Sequence, residues 1–424
     1  MKWNLKLKAG ALQFVLFIGV VIAILLLTFV TLSHTHSFFG KKTSLLIQTI
    51  KKTDLALAFA MQQDLVLNDT ITLQLGIDDA ITTKAVKTYW GVFEKYALVA
   101  SFQKNRFVKN VLVGGKLPED APALYLKELN RPMIIAGNAK ITGDAFLPKQ
   151  GIRTGNIAGN SYFQKQLVYG QQKLSTSELP NLDIELKEHL KLLQSNQSYG
   201  IGESISLDKM AEATVSFNEE TQFVFGSIIS LSNLKLTGNI IINASQKIIV
   251  EESAFLQDVL LIAPEIIIKD RVVGTFQAIA SESILIGKNC QLNYPSALVV
   301  NKKIEQREMS SVQQNPNISI AENTSVQGVV LYLGKAQEQH FSPQIKIEKD
   351  VHVLGEIYCE EALELKGKVN GSVSTGTFMA LENGSIYQNH LYNGQINSTL
   401  LTKEYVGLLY GGKSAKKKIS KWLY

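Results

Sequence analysis

The chain has 424 residues, 46% hydrophobic and 19% charged, enough apolar content for two or three folded domains and too much for a disordered chain. Its formal net charge of +6 sits largely at the ends, in Lys2, Lys6 and Lys8 and in five lysines from Lys413 to Lys421, so neither a basic face nor a recognised motif points to nucleic acid. Two cysteines, Cys290 and Cys359, exclude a disulfide framework and are expected as buried thiols.

Residues 1–10 form a short lead. Residues 11–32, with Ala11 and Leu32 as limits, carry no charge and are long enough to cross a bilayer as a helix. The lysines ahead favour a cytoplasmic N-terminus, with the bulk of the chain outside the cytoplasm. The apolar run is longer than a signal-peptide core, and no small-x-small site follows, so a retained anchor is expected. The partner predicted for residues 11–32 is the lipid bilayer, and the predicted location is an inner (cytoplasmic) membrane crossed once. His34 and His36 lie two apart, off a common helical face, and predict no zinc site.

Residues 33–64 keep helical spacing through Leu45, Leu46, Ile50, Leu55, Leu57, Phe59 and Met61, which predicts a helix that continues from the membrane segment or docks beside it. Gly10 followed by Ala11-Leu-Gln-Phe-Val-Leu-Phe-Ile, with Lys6 and Lys8 ahead of it, resembles the processing site of type IV pilins and pseudopilins. The resemblance covers about the first sixty residues. It implies cleavage between Gly10 and Ala11 and an apolar helix that packs among like helices. Val15 stands where the major subunits carry Glu, a departure that some minor pseudopilins share.

Residues 65–117 change character. Residues 70–75 alternate with period two, and 86–94, 96–102 and 107–113 read as further strands of a small antiparallel β domain. Trp90-Gly91 is expected as a packed aromatic beside a bulge.

Residues 118–220 combine a Pro-bearing linker, first solenoid-like rungs at 133–144 and an inserted helix. Glycines recur through 151–170 without phosphate-loop spacing. In 179–195, Leu182, Ile184, Leu186, Leu190, Leu192 and Leu193 mark the apolar face of that helix, capped by Asn181 or Asp183 after Pro180.

Residues 221–395 carry the dominant pattern. Val259-Leu-Leu-Ile-Ala, Gln277-Ala-Ile-Ala-Ser and Ser296-Ala-Leu-Val-Val start 18 and 19 residues apart, and the first two precede second apolar runs at Ile266 and Ile284. A period near twenty with two or three short strands per repeat predicts a parallel β-helix. A polar loop is expected at 303–316. The segments Val351-His-Val-Leu-Gly-Glu-Ile-Tyr358 and Lys368-Val-Asn-Gly-Ser-Val373 set Gly355 and Gly371 sixteen apart and resemble the repeat of bactofilins, polymer-forming β-helix proteins. Bactofilins are usually smaller and face the cytoplasm, so the resemblance supports the fold more than a polymerising activity. Residues 396–424 read as a solvated basic tail.

Chemistry would need carboxylates paired across a groove. Glu251 and Glu252, adjacent in an expected strand, point to opposite faces, and Asp270-Arg271 at a corner neutralise each other. Asp258 is the remaining candidate, and no Asp-rich cluster appears on consecutive rungs. No catalytic, metal-binding or cofactor-binding residue is predicted, and no small-molecule ligand. The fold class predicted is mainly β: an N-terminal transmembrane and amphipathic helix, a small antiparallel β domain and a parallel β-helix (β-solenoid). The function predicted is a non-enzymatic, membrane-anchored scaffold or assembly protein with protein partners or self-assembly. The alternatives are a minor pseudopilin-like component of a pilus or secretion filament, and a carbohydrate-active β-helix enzyme.

Overall fold

The computed structural model describes residues 9–63, 65–74, 81–118, 121–194, 211–302, 315–335, 342–412 and 416–424. Lys2, Lys6 and Lys8, nearly all of the loop predicted at 303–316, and Lys413-Ser414 lie outside these. Among the described residues the protein is mainly β, 52% strand against 18% helix. Most of the helix is one element, α1, the 54-residue Ala9–Gln62. The segment predicted at 11–32 and most of that predicted at 33–64 are therefore a single uninterrupted helix, ending at Gln62.

The chain forms two compact units. The first comprises residues 1–60, 71–85 and 98–108; the second comprises 61–70, 86–97 and 109–424. The sheet order is β1 (Thr70–Leu73), β2 (Thr82–Trp90), β3 (Phe93–Phe102), β4 (Asn105–Lys116). Two-residue turns at Gly91-Val92 and Gln103-Lys104 join β2 to β3 and β3 to β4, a connection that only antiparallel neighbours allow. The single strand expected at 86–94 is thus two. Gly91, with φ of +62°, makes a hairpin turn rather than a bulge. The predicted small domain is also not a separate body, since β2, β3 and β4 contribute to both units.

In the first unit, α1 buries Thr49, Thr53, Ala56, Leu57 and Ala60, a stripe at helical spacing made mostly of small residues. Leu73, Thr83, Ala85, Leu98 and Ala100 are the buried strand residues of the same unit.

In the second unit, a ladder of mostly parallel strands lies between Glu212 and Asn397, with Ser385–Gln388 paired antiparallel to the end of Lys368–Glu382. Ile266 pairs with Ile284, eighteen residues on, and Gly355 with Gly371, sixteen on. The inward residues of successive strands (Leu261, Ala278 and Leu298 in one layer) fill one continuous apolar core. The outward residues Leu260, Ile262, Ile279, Val299 and Leu331 are also buried, beneath the helix α2 (Ile184–Leu193) and the aromatic residues Trp90 and Phe93. Burial on both faces explains why these strands read as unbroken apolar runs.

The register differs from the sequence alignment by one residue in part of the ladder. Leu260, not Val259, pairs with Gln277 and then Ala297. Asp258, with φ of +62°, is the extra residue that shifts the pairing, and a one-residue slip exchanges the two faces of a strand.

The strands within 118–220 lie where sequence order does not put them. Leu124 pairs with Val373, Lys140 with Gln395 and Ile134 with His390. They extend the C-terminal end of the ladder instead of preceding residue 221, whereas Glu212–Val215 pairs with Lys235–Gly238 at the other end. Helix α2 lies along the ladder, with Asp183 as N-cap accepting from the Leu186 amide, and does not cover an end rung.

The basic tail is a correction as well. Lys417–Leu423 is a strand paired antiparallel with β4, next to Val406–Gly407 on the same strand. Tyr405, Val406, Leu408 and Leu409 are buried. Lys417 and Lys421 have carboxylate partners far away in the chain, Glu94 and Asp258, which local composition cannot disclose.

Candidate functional site

The predicted membrane segment is the least covered part of the structure. Gly10, Ala11 and Leu32 are all exposed on α1, and so is every residue from 10 to 44. Leu25, Leu26, Leu27, Phe29 and Leu32 are each at least 60% exposed, a density of bare aliphatic surface that water does not tolerate. The hydroxyls of Thr28, Thr31 and Thr35 donate to carbonyls one turn back, so these three hydroxyls are satisfied within the helix, which suits a bilayer. The helix is long and apolar enough to cross a membrane.

The carboxylates considered for catalysis are not brought together. Glu251 and Glu252 lie at a turn, not in a strand. Arg271 does not neutralise Asp270 but makes a two-point contact with Glu252, at 2.8 and 2.6 Å. That contact holds the Glu252 carboxyl below its usual range. Asp270 Oδ1 accepts the Lys288 amide at 2.8 Å, closing a corner between neighbouring strands. Asp258 is bound by Lys421 Nζ at 2.6 and 2.8 Å. Cys290 and Cys359 are both free and buried, and burial pushes both thiols up. Among the described residues no group of three or more His, Cys, Asp or Glu is placed to hold a metal ion.

Two buried polar clusters were invisible to sequence reasoning. In the first, Lys87 Nζ donates to Glu185 Oε2 at 2.6 Å and lies 3.8 Å from Glu94. Glu94 also accepts from Lys417 at 2.8 Å and from the Tyr96 hydroxyl at 3.0 Å. Beside them Tyr89 stacks on His189, ring centroids 4.7 Å apart. Burial lowers the His189 pKa to about 4. The Tyr89 hydroxyl and His189 Nε2 are buried with no hydrogen-bond partner among the described residues. In the second cluster, Glu356 is fully buried. Its Oε2 accepts the Leu408 amide at 2.7 Å and its Oε1 the Tyr410 hydroxyl at 3.4 Å. Burial raises its pKa to about 7. Both clusters join segments 52 to 323 residues apart, so no local spacing could have signalled them.

One concave site lies outside these clusters. A cavity of about 530 Å³ is lined by Lys187, Lys191 and Gln194 of α2, the strand ends at Lys302 and Lys335, and Glu360. Compared with protein-family models, with curated proteins and with solved structures, the chain matches none.

Proposed function

We propose that the chain is a non-enzymatic scaffold or assembly protein held at a membrane by α1, with the ladder of the second unit acting as a parallel β-solenoid. The bare apolar half of α1 carries this reading: more than thirty consecutive exposed residues have no protein surface over them in the unit to which they belong. A bilayer is the solvent that suits them. Lys2, Lys6 and Lys8 favour a cytoplasmic start, so the β-rich body would stand outside the cytoplasm of a single-pass inner-membrane protein. Support for the solenoid comes from the near-constant pairing offset and from Gly328, Gly355 and Gly371, which pair in one column. The bactofilin-like spacing of the last two is part of that column. A rigid rod with its candidate carboxylates engaged in corners and ion pairs suits binding other proteins better than glycan cleavage.

The orientation can be tested by labelling the full-length protein in intact cells with a membrane-impermeant maleimide. The native thiols are buried, so Ser385→Cys, at an exposed position, reports alone. Labelling once the outermost barrier is opened is expected; labelling only after lysis of the inner membrane would contradict the orientation.

A second reading, a minor pseudopilin-like component of a filament, is favoured by the build of the first unit. There α1 is one unbroken helix, bare over its first part and buried against short strand segments from Thr49 onward. A mature chain that begins at Ala11 after cleavage behind Gly10 would support it over a permanent anchor.

A further inference from the structure

We infer that the cavity between α2 and the strand ends at 302 and 335 is a binding site for phosphate or sulfate groups. Lys187 and Lys191 stand four residues apart on one face of α2, and Gln194 continues that face. Lys302 follows strand Gln291–Asn301 and Lys335 follows strand Ser325–Leu333 by two residues. The register pairs Asn301 with Leu333, and the Lys302 amide donates to the Leu333 carbonyl at 2.8 Å, so both lysines leave adjacent strands at one level. Gln194 Nε2 fixes the wall by donating to the carbonyls of Ala280 and Asn301 at 3.0 and 2.8 Å. Gly334, with φ of +151°, keeps the floor low, because a Cβ there would come within 3.1 Å of Lys302 Cβ.

The charge count sets the ligand class. Glu360 is the single carboxylate of the lining, and it is already engaged. One oxygen accepts the Gly334 amide at 2.9 Å and the other lies 3.8 Å from Lys187. Lys191, Lys302 and Lys335 have no ion-pair partner among the described residues. Several other ladder lysines are matched, Lys247 with Glu265, Lys346 with Glu348 and Lys288 with Glu322. Three lysines without carboxylate partners among the described residues line one concavity, and an anion entering it would offset their charge. Lysines, as compact point charges without the fork of Arg, suit a tetrahedral oxyanion approached from several sides. The C-terminal end of α2 works against an anion, and Lys191 in its last turn offsets that. The cavity is in the size range of small-molecule sites and exceeds a bare phosphate, so the group would belong to a phosphorylated or sulfated small molecule or to a polyanionic chain passing through.

Calorimetric titration of the full-length protein in detergent, at about 100 mM salt, tests this with pyrophosphate and with long-chain polyphosphate as probes. Binding of either probe is expected, weakened at least tenfold in Lys302→Glu/Lys335→Glu and unchanged in Lys368→Glu, an exposed lysine outside the cavity. Both variants should melt with the wild type. Pyrophosphate binding identifies the small ester, and binding of polyphosphate alone identifies the polymer. No binding of either probe, undiminished binding by the double variant, or an equal loss in Lys368→Glu would overturn the assignment.

Discussion

Replacing Glu356 by Gln should change how stability depends on pH, and the size of the change follows from its surroundings. The carboxyl is fully buried and receives the Leu408 amide and the Tyr410 hydroxyl. Its pKa is raised from the ordinary 4.5 to about 7, first by burial, against which both hydrogen bonds pull. Below pH 4.5 the group is protonated in both folded and unfolded chains and has no effect. Between pH 4.5 and 7 the unfolded chain releases the proton while the folded chain keeps it, so stability falls as pH rises. Above pH 7 both forms are ionised and the loss is complete, about 3 kcal/mol from a gap of some 2.5 pH units at 1.36 kcal/mol each. Gln can accept the Leu408 amide but cannot ionise. Denaturant melts of wild type and Glu356→Gln should therefore agree to within about 1 kcal/mol at pH 4.5. At pH 8 the variant should be the more stable by about 2–3 kcal/mol. Taking the difference between the two proteins cancels every other titrating group. A difference that does not vary with pH, or a variant less stable at pH 8, would refute the buried-carboxyl argument.

Three further outcomes are expected. Gly355→Ala should cost at least about 3 kcal/mol, because its φ of +145° disfavours a side chain and the new Cβ would overlap the Gly328 carbonyl oxygen; thermal midpoints would show this against Gly411→Ala, where the nearest atoms to a new Cβ lie at 3.7 Å and the backbone is not left-handed. A double-mutant cycle on Lys421→Ala and Asp258→Asn should give a coupling of about 1–2 kcal/mol, since the pair is partly buried; a value near zero would mean the C-terminal strand is held by its backbone pairing alone. His189→Phe keeps the stacking on Tyr89 but removes a base whose pKa is lowered from 6.5 to about 4 by burial. The stability of the wild type relative to the variant should fall as pH drops from 6.5 to 4, by about 3 kcal/mol at most, and a difference that stays flat in acid melts would contradict it.

Much of the β-rich half was legible because its periodicity is local. The runs at Ile266 and Ile284 pair as aligned, and so do Gly355 and Gly371. The alignment failed by one residue at Val259 because Asp258 is inserted in a left-handed conformation that its side chain does not announce. The placement of 124–142 beyond the C-terminal strands was unreadable, since parallel pairing of remote segments leaves no spacing in the chain. The end of the chain misled for the opposite reason. Lys417, Lys418 and Lys421 look like a solvated run until Glu94, Glu404 and Asp258 are found beside them. Continuity of α1 from residue 33 to Gln62 was one of two options and had no break signal against it, as neither Pro nor a Gly pair interrupts it. The lysine-lined cavity joins four separate segments, 187–194, 301–302, 333–335 and Glu360, each unremarkable alone.

The most direct measurement is the intact mass and N-terminal sequence of the full-length protein recovered from the membrane fraction after alkaline carbonate washing. A permanent anchor predicts a chain that still begins at Met1 and stays with the membrane. A soluble chain that begins beyond Leu32 would contradict anchoring by α1.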